Sequence, residues 1–315
     1  MGPGALLRRI ALFGLFVLAV LALFYWGGPH VSQVDFLGAA RLKQERLRRL
    51  GSPKVVVIGG SNAAFGIDSE ALERGLCRPV VNMGLHAALG FRYMTAEVVD
   101  QLGAGDVVVV ALENSNFEKP DRMEDVLSIT VDRYPPAIGF VPWEERAGLV
   151  FGLALWRMQA TWNAWLHPEP RPDMGIYTEG SFNERGDMVA HLDMAIPLER
   201  KEETDEFDTL YVAERFWPIA TGFNERAKAA GAKVLFSWPS VARSVYRPAD
   251  SEAVKRAMEG HGLIVIGSPS DYVFPDSLFF DTWYHLHAVG RTQRTAMLLR
   301  DVCLAEAGIC CAEKK

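Results

Sequence analysis

Apolar and polar positions fall into three successive patterns along this chain. Residues 10–26 are apolar throughout apart from Gly14. As a helix, those 17 residues reach roughly 26 Å at about 1.5 Å each, the short end of a bilayer crossing. Arg8 and Arg9 flank one end; Tyr25 and Trp26 close the other, as interfacial aromatics do. A cleaved signal peptide is the rival reading, but small residues should then follow the apolar run, and here it ends in Phe24-Tyr25-Trp26. A retained anchor over residues 1–30 is the expectation. Residues 34–50 then read as a basic amphipathic helix within a 31–53 connector. It either lies on anionic lipid or packs Leu42, Leu47 and Leu50 inward.

From Lys54 the pattern changes to short apolar runs alternating with helical periods. Val55–Ile58 is four β-branched residues without a polar break, as in a strand buried on both faces. Further strands are expected at 79–83, 107–112, 233–237 and 263–266, with helices over about 69–76, 91–102, 216–230, 249–259 and 292–303. Five short strands separated by helices predict an α/β fold with a parallel sheet covered on both faces and right-handed crossovers. Residues 117–209 break this rhythm. They hold Trp143, Trp156, Trp162 and Trp165, a Pro-rich break at 167–172, and the Gly/Asp/Asn-rich piece TEGSFNERGDMV. They read as an insertion of one or two helices and a loop within a 54–315 domain. It is either a wall over the carboxyl edge of the sheet or a segment whose tryptophans pack onto it.

Composition narrows the function class. At 315 residues and 49% hydrophobic, one large core is affordable. A net charge of −6 argues against nucleic acid as a partner. None of the four cysteines makes a CxxC pair; Cys303 could bridge Cys310 or Cys311, or the thiols could be free.

The candidate chemistry gathers at the ends of strands. The first strand breaks on Gly59-Gly60 and delivers Ser61 to its carboxyl end, where open parallel sheets bind ligands. A serine hydroxyl needs a positioned base. Of seven histidines, His285 stands out: it follows the last strand in DTWYHLHAVGR, with Asp281 four residues earlier to hold its tautomer. Candidate oxyanion donors are the Ser61 amide, Gly84, and Asn114 or Asn116 in LENSNF. Glu113 either orients an active-site group or caps a loop. The Gly59–Gly66 loop lacks the spacing of a dinucleotide site or a P-loop. His285 and His287 with Asp281 lack further ligands for a metal, so no metal or cofactor is expected. His86, His167, His191 and His261 read as surface or packing groups.

These residues resemble the SGNH (GDSL-like) hydrolase superfamily, and more narrowly its membrane-anchored bacterial branch, which includes DltD and the alginate and peptidoglycan O-acetylation proteins. The likeness covers residues 54–112 and 233–303. Strand then Gly-x-Ser matches Gly59-Gly60-Ser61 and implies Ser61 as nucleophile, with Gly60 where the family's Asp would stand. The second-block glycine matches Gly84, an implied oxyanion donor. The third block offers Asn114 without its glycine. Asp-x-x-His-Leu matches His285-Leu286, with the acid one residue further off at Asp281. The resemblance implies a flavodoxin-like three-layer αβα sandwich and a serine esterase or O-acyltransferase acting on acylated cell-envelope glycan. It also implies a domain outside the cytoplasmic membrane and a polytopic acyl-transfer partner. The other reading is a non-catalytic carbohydrate-binding or assembly protein that keeps the fold.

Overall fold

The computed structural model describes residues 3–27, 36–121, 124–167, 175–197 and 211–311. The apolar opening forms one helix, α1 (Pro3–Trp26), long and apolar enough to cross a membrane and with no residue buried in the protein. The connector forms a short 3-10 turn and α2 (Ala39–Arg49). Leu47 and Leu50 pack inward, as one of the two readings has it, and Leu42 is half-buried. Leu47 is buried, and so is Lys43, whose Nζ donates to the carbonyls of Asn82 and Gly186 instead of facing lipid. Residues 34 and 35 lie outside the described residues.

The α/β domain follows: β1 (Val55–Gly59), α3 (Ser61–Gly66), α4 (Ser69–Leu76), β2 (Val80–Asn82), α5 (Phe91–Val99) and β3 (Val107–Ala111). Next come α6 (Asn114–Glu118), α7 (Glu124–Arg133) and α8 (Trp143–Leu166). The chain then runs through α9 (Phe216–Ala229), β4 (Lys233–Ser237), β5 (Val241–Ala242), α10 (Pro248–Gly260), β6 (Val273–Phe274) and α11 (Ala288–Ala305). The main sheet is parallel, in the order β2-β1-β3-β4; β5 and β6 pair separately.

The sheet has four strands and not the five expected. Residues 263–266 reach the β4 edge but make a single bridge, Phe236 to Val265. Gly262 and Gly267 take left-handed φ of 73° and 69° on either side, so the chain turns away before a ladder can extend.

Strand periodicity divides the core. Val56, Ile58, Val108, Val110, Val234 and Phe236 face one way, onto Phe91 and Val98 of α5 and Phe216 and Phe223 of α9. Val55, Val57, Val107, Val109 and Leu235 face the other, onto Leu72 and Leu76 of α4 and Leu298 and Val302 of α11. Helices thus cover both faces, and the unbroken valine runs are explained by burial on both sides.

The insertion builds a third core. Leu127 and Val131 of α7 and Leu149 and Leu153 of α8 pack with Phe65, Tyr93, Phe182 and Phe280. Its tryptophans do not fill this core evenly: Trp156 packs against it, whereas Trp143, Trp162 and Trp165 are exposed. Two disulfides tie the chain, Cys303–Cys310 and Cys77–Cys311, the second joining α4's end to the C-terminal segment.

Candidate active site

Register sets the first half of the site. Gly59 pairs with Ala111 across β1 and β3, so the residues two further on, Ser61 and Glu113, leave the sheet side by side. Ser61 Oγ donates to Glu113 Oε1 at 3.1 Å. The same oxygen accepts the Asn62 amide at 2.7 Å and Asn62 Nδ2 at 3.1 Å. Both glycines before the serine are required by close approach. A Cβ on Gly59 would stand 2.5 Å from the Ala111 carbonyl; one on Gly60 would stand 2.6 Å from Glu113 Oε1 and 2.9 Å from Ala87 Cα. Glu113 therefore occupies the space that an aspartate at position 60 would need.

Behind the serine turn lies Arg294 of α11, fully buried. It donates to Asn62 Oδ1 at 2.7 Å and to the Asn62 carbonyl. Burial pulls the guanidinium down to about 10, against the upward pull of Tyr272 and Glu113. Asn62 thus bridges a buried cation and a buried carboxylate, and the turn that presents Ser61 is held from both sides.

The second half is a tight loop between β6 and α11. Phe279 and Leu286 form an antiparallel bridge, Phe280 N–H donates to the His285 carbonyl at 2.7 Å, and the amides of Tyr284 and His285 both reach Thr282 Oγ1 at 3.3 Å. This closure brings Asp281 Oδ1 to 2.8 Å from His285 Nδ1. The four-residue spacing is thus accommodated by the loop. Asp281 Oδ2 accepts a hydrogen bond from Tyr177 of the insertion. With Nδ1–H donated to the carboxylate, a neutral imidazole carries its lone pair on Nε2.

The two halves meet through α3. The imidazole of His285 stacks on Phe65, ring centroids 3.8 Å apart and planes 5° from parallel. Phe65 stands four residues after Ser61, so the imidazole is held against the same short helix that carries the serine. Ser61 is half-buried and His285 is 5% exposed. The serine's own hydrogen bond goes to Glu113 and not to the imidazole.

The expected oxyanion donors are placed as follows. Gly84 is buried beside Ala63 and Ala64, and its amide donates to Asn82 Oδ1 at 2.9 Å. Asn114 opens α6, half-buried, and its amide donates to Tyr284 Oη at 3.2 Å. Asn116 is buried and spends a side-chain N–H on the Ala87 carbonyl at 2.8 Å. His287 is an exposed contact to the Met194 carbonyl at 3.0 Å, and among the described residues no group of three or more His, Cys, Asp or Glu could hold a metal.

Three supporting residues carry no sequence motif. Tyr177 stands in an irregular segment; Arg294 shows only as an arginine on the inward face of a closing helix; His191 looks like any loop histidine. Yet His191 is fully buried, packs 4.7 Å from Phe65, and bonds the Leu286 carbonyl at 2.9 Å. Burial pulls it down to about 4, so it is neutral and props the loop that carries His285.

No protein-family model matches this chain, and no curated protein matches it. Among solved structures, the crystal structure of protein YxiM from Bacillus subtilis is similar over 82% of this chain at a TM-score of 0.38 and 11% identity. The match takes in 58% of that protein's chain.

Proposed function

We propose that this chain is a membrane-anchored serine esterase or O-acyltransferase of the SGNH type, with Ser61 as nucleophile, His285 as general base and Asp281 as its orienting acid. The observation that carries the reading is the Asp281–His285 hydrogen bond of 2.8 Å on an imidazole stacked one helical turn from Ser61. In the reaction, Ser61 Oγ attacks the carbonyl carbon of an acyl ester while Nε2 of His285 takes the hydroxyl proton. The tetrahedral oxyanion collapses, the alcohol leaves with the proton from His285, and water or a sugar hydroxyl then resolves the acyl-serine. The oxyanion donors of this reading are the Ser61 amide and the Asn114 side chain; the Gly84 amide would first have to leave Asn82. The sheet order β2-β1-β3-β4 fits the central strands of a flavodoxin-like sandwich. The apolar α1 supports a single-pass anchor, and two disulfides support a domain in an oxidising compartment outside the cytoplasm. Acylated envelope glycan is then the substrate class, with a polytopic acyl-transfer protein as partner.

One observation favours the non-catalytic alternative: Ser61 is hydrogen-bonded to Glu113. Fluorophosphonate labelling of the full chain in detergent separates the two. Covalent labelling that disappears in Ser61→Ala and falls at least about 100-fold in rate in His285→Ala fits the enzyme. A wild type that resists labelling, and that hydrolyses p-nitrophenyl acetate no faster than buffer, leaves the binding protein.

A further inference from the structure

A stretch of helix that is apolar on its outer side as well as its inner one needs cover on both, and among the described residues the middle of α8 is buried on the inner one, with α1 against its C-terminal end. Its inner face, Leu149 and Leu153, is buried in the insertion's core. Its outer face carries Trp143, Phe151, Leu155 and Trp162, at 79%, 66%, 50% and 50% exposed. Successive members of this set lie on one arc of the helix, and from Ala147 to Trp156 there is no charged residue. Exposed indoles in this number are unusual for a surface left to water.

The geometry around α1 says what covers this face. Phe24, near the end of the apolar run, packs on Trp162 and Trp165 with ring centroids 5.8 and 5.1 Å away. Arg157 lies over the Tyr25 ring at 4.5 Å. The C-terminal half of α8 is therefore fixed at the level where α1 meets the membrane–water boundary, the depth at which tryptophan and tyrosine rings are most stable. We infer that α8 is a second membrane contact: it rests on the bilayer that α1 crosses, with its outer face in the interfacial layer, and the occupant of that face is lipid. This rests on the reading of α1 as a membrane span. The consequence is positional. The core behind α8 also contains Phe65 and Phe280, which flank the candidate site, so α8 holds that site beside the membrane surface.

The test uses the full chain in nanodiscs made with lipids brominated along the acyl chain, compared with unbrominated discs, and reads tryptophan quenching. Three single variants, Trp26→Phe, Trp162→Phe and Trp165→Phe, assign the quenched signal. A fourth, Phe151→Glu with Leu155→Glu, is checked by circular dichroism. The expected result is that Trp162→Phe and Trp165→Phe each remove part of the quenchable fluorescence. The double glutamate variant should reduce the remaining quenching while its helix content stays the same; if its helix content falls, the two Trp→Phe variants decide alone. If Trp26→Phe removes all the quenching and the other two remove none, α8 is off the membrane and the inference is overturned while the anchor stands. A second copy or a protein partner over this face would shield its indoles and give that same result. If no tryptophan is quenched, the anchor reading falls and takes the inference with it.

Discussion

Glu113 offers the sharpest test of how the site is built. Its Oε1 accepts three hydrogen bonds, from Ser61 Oγ, the Asn62 amide and Asn62 Nδ2. In Glu113→Ala the half-buried serine can turn to water, but the two Asn62 donors are fully enclosed. An orphaned buried donor costs about 1–3 kcal/mol, so the loss is about 2–6 kcal/mol. At this chain length that is a fall in Tm on the order of 10 °C. Glu113→Gln keeps an acceptor oxygen in place and gives up only the charge, at about 1 kcal/mol. The two variants separate structure from chemistry. With His285 as the base, Glu113→Gln should still label with fluorophosphonate at a rate within about tenfold of wild type, because its carboxylate takes no proton in the reaction. Thermal melts and labelling rates on the same preparations are the assay. A Tm unchanged in Glu113→Ala would refute the clamp. Labelling abolished in Glu113→Gln but normal in His285→Ala would move the base from the imidazole to the carboxylate.

Asp281→Asn should lower p-nitrophenyl acetate turnover by about 100-fold or more, and Tyr177→Phe, which removes one neutral donor to that carboxylate, by about fivefold to tenfold, both read as kcat at fixed pH. His191 gives a pH prediction whose sign is fixed by burial: its folded value of about 4 lies below the ordinary 6.5. Between those values the unfolded chain binds the extra proton, so its contribution is complete above 6.5 and is lost as pH falls through 4, up to about 3 kcal/mol. Glu97, raised to about 8 by burial, works in the opposite sense as pH rises. The measurement is therefore a difference: the Tm gap between pH 7.5 and pH 5 should be larger in wild type than in His191→Gln, and equal gaps refute it. Replacing both Cys77 and Cys311 by serine opens a loop of 234 residues and should cost about 5 kcal/mol in the chain-entropy account, read as a lower Tm under non-reducing conditions.

The parts of this fold legible in the sequence are those decided within a few residues. The run Val55–Ile58 can only be a strand buried twice over, and Gly59-Gly60 can only be a place where backbone comes close. Asp281 and His285 meet because one short loop closes on itself. What the sequence hides is decided between distant segments. Residues 263–266 read as a strand because they are apolar, yet the flanking left-handed glycines stop the ladder after one bridge. Cys77 finds Cys311 across the whole domain, a pairing that spacing cannot give. Glu113 was readable as a group at a strand end, but its grip on Ser61 depends on the β1–β3 register. Arg294 was unreadable because its partner, Asn62, lies more than two hundred positions away.

The middle insertion belongs to this second kind, and it does more than cover the sheet edge. Residues 175–197 enter the site from outside the βα rhythm and reach each half of it. Tyr177 bonds Asp281, and His191 supports the carbonyl of the residue after His285. The Met188 amide donates to the Ala64 carbonyl of α3 at 2.9 Å. Asp187, fully buried, accepts from Ser69 Oγ at 2.6 Å, Asn82 Nδ2 at 2.9 Å and Arg291 Nη2 at 3.1 Å, and so ties α4, β2 and α11 to one carboxylate. Asn82 is also the residue that holds the Gly84 amide. A buried network whose members are all paired rigidifies the elements that it joins. The serine turn and the acid–imidazole pair are therefore positioned by the insertion as much as by the sheet. The same insertion carries α8, whose Leu149 and Leu153 share a core with Phe65 and Phe280, the residues that stand against His285 and before Asp281.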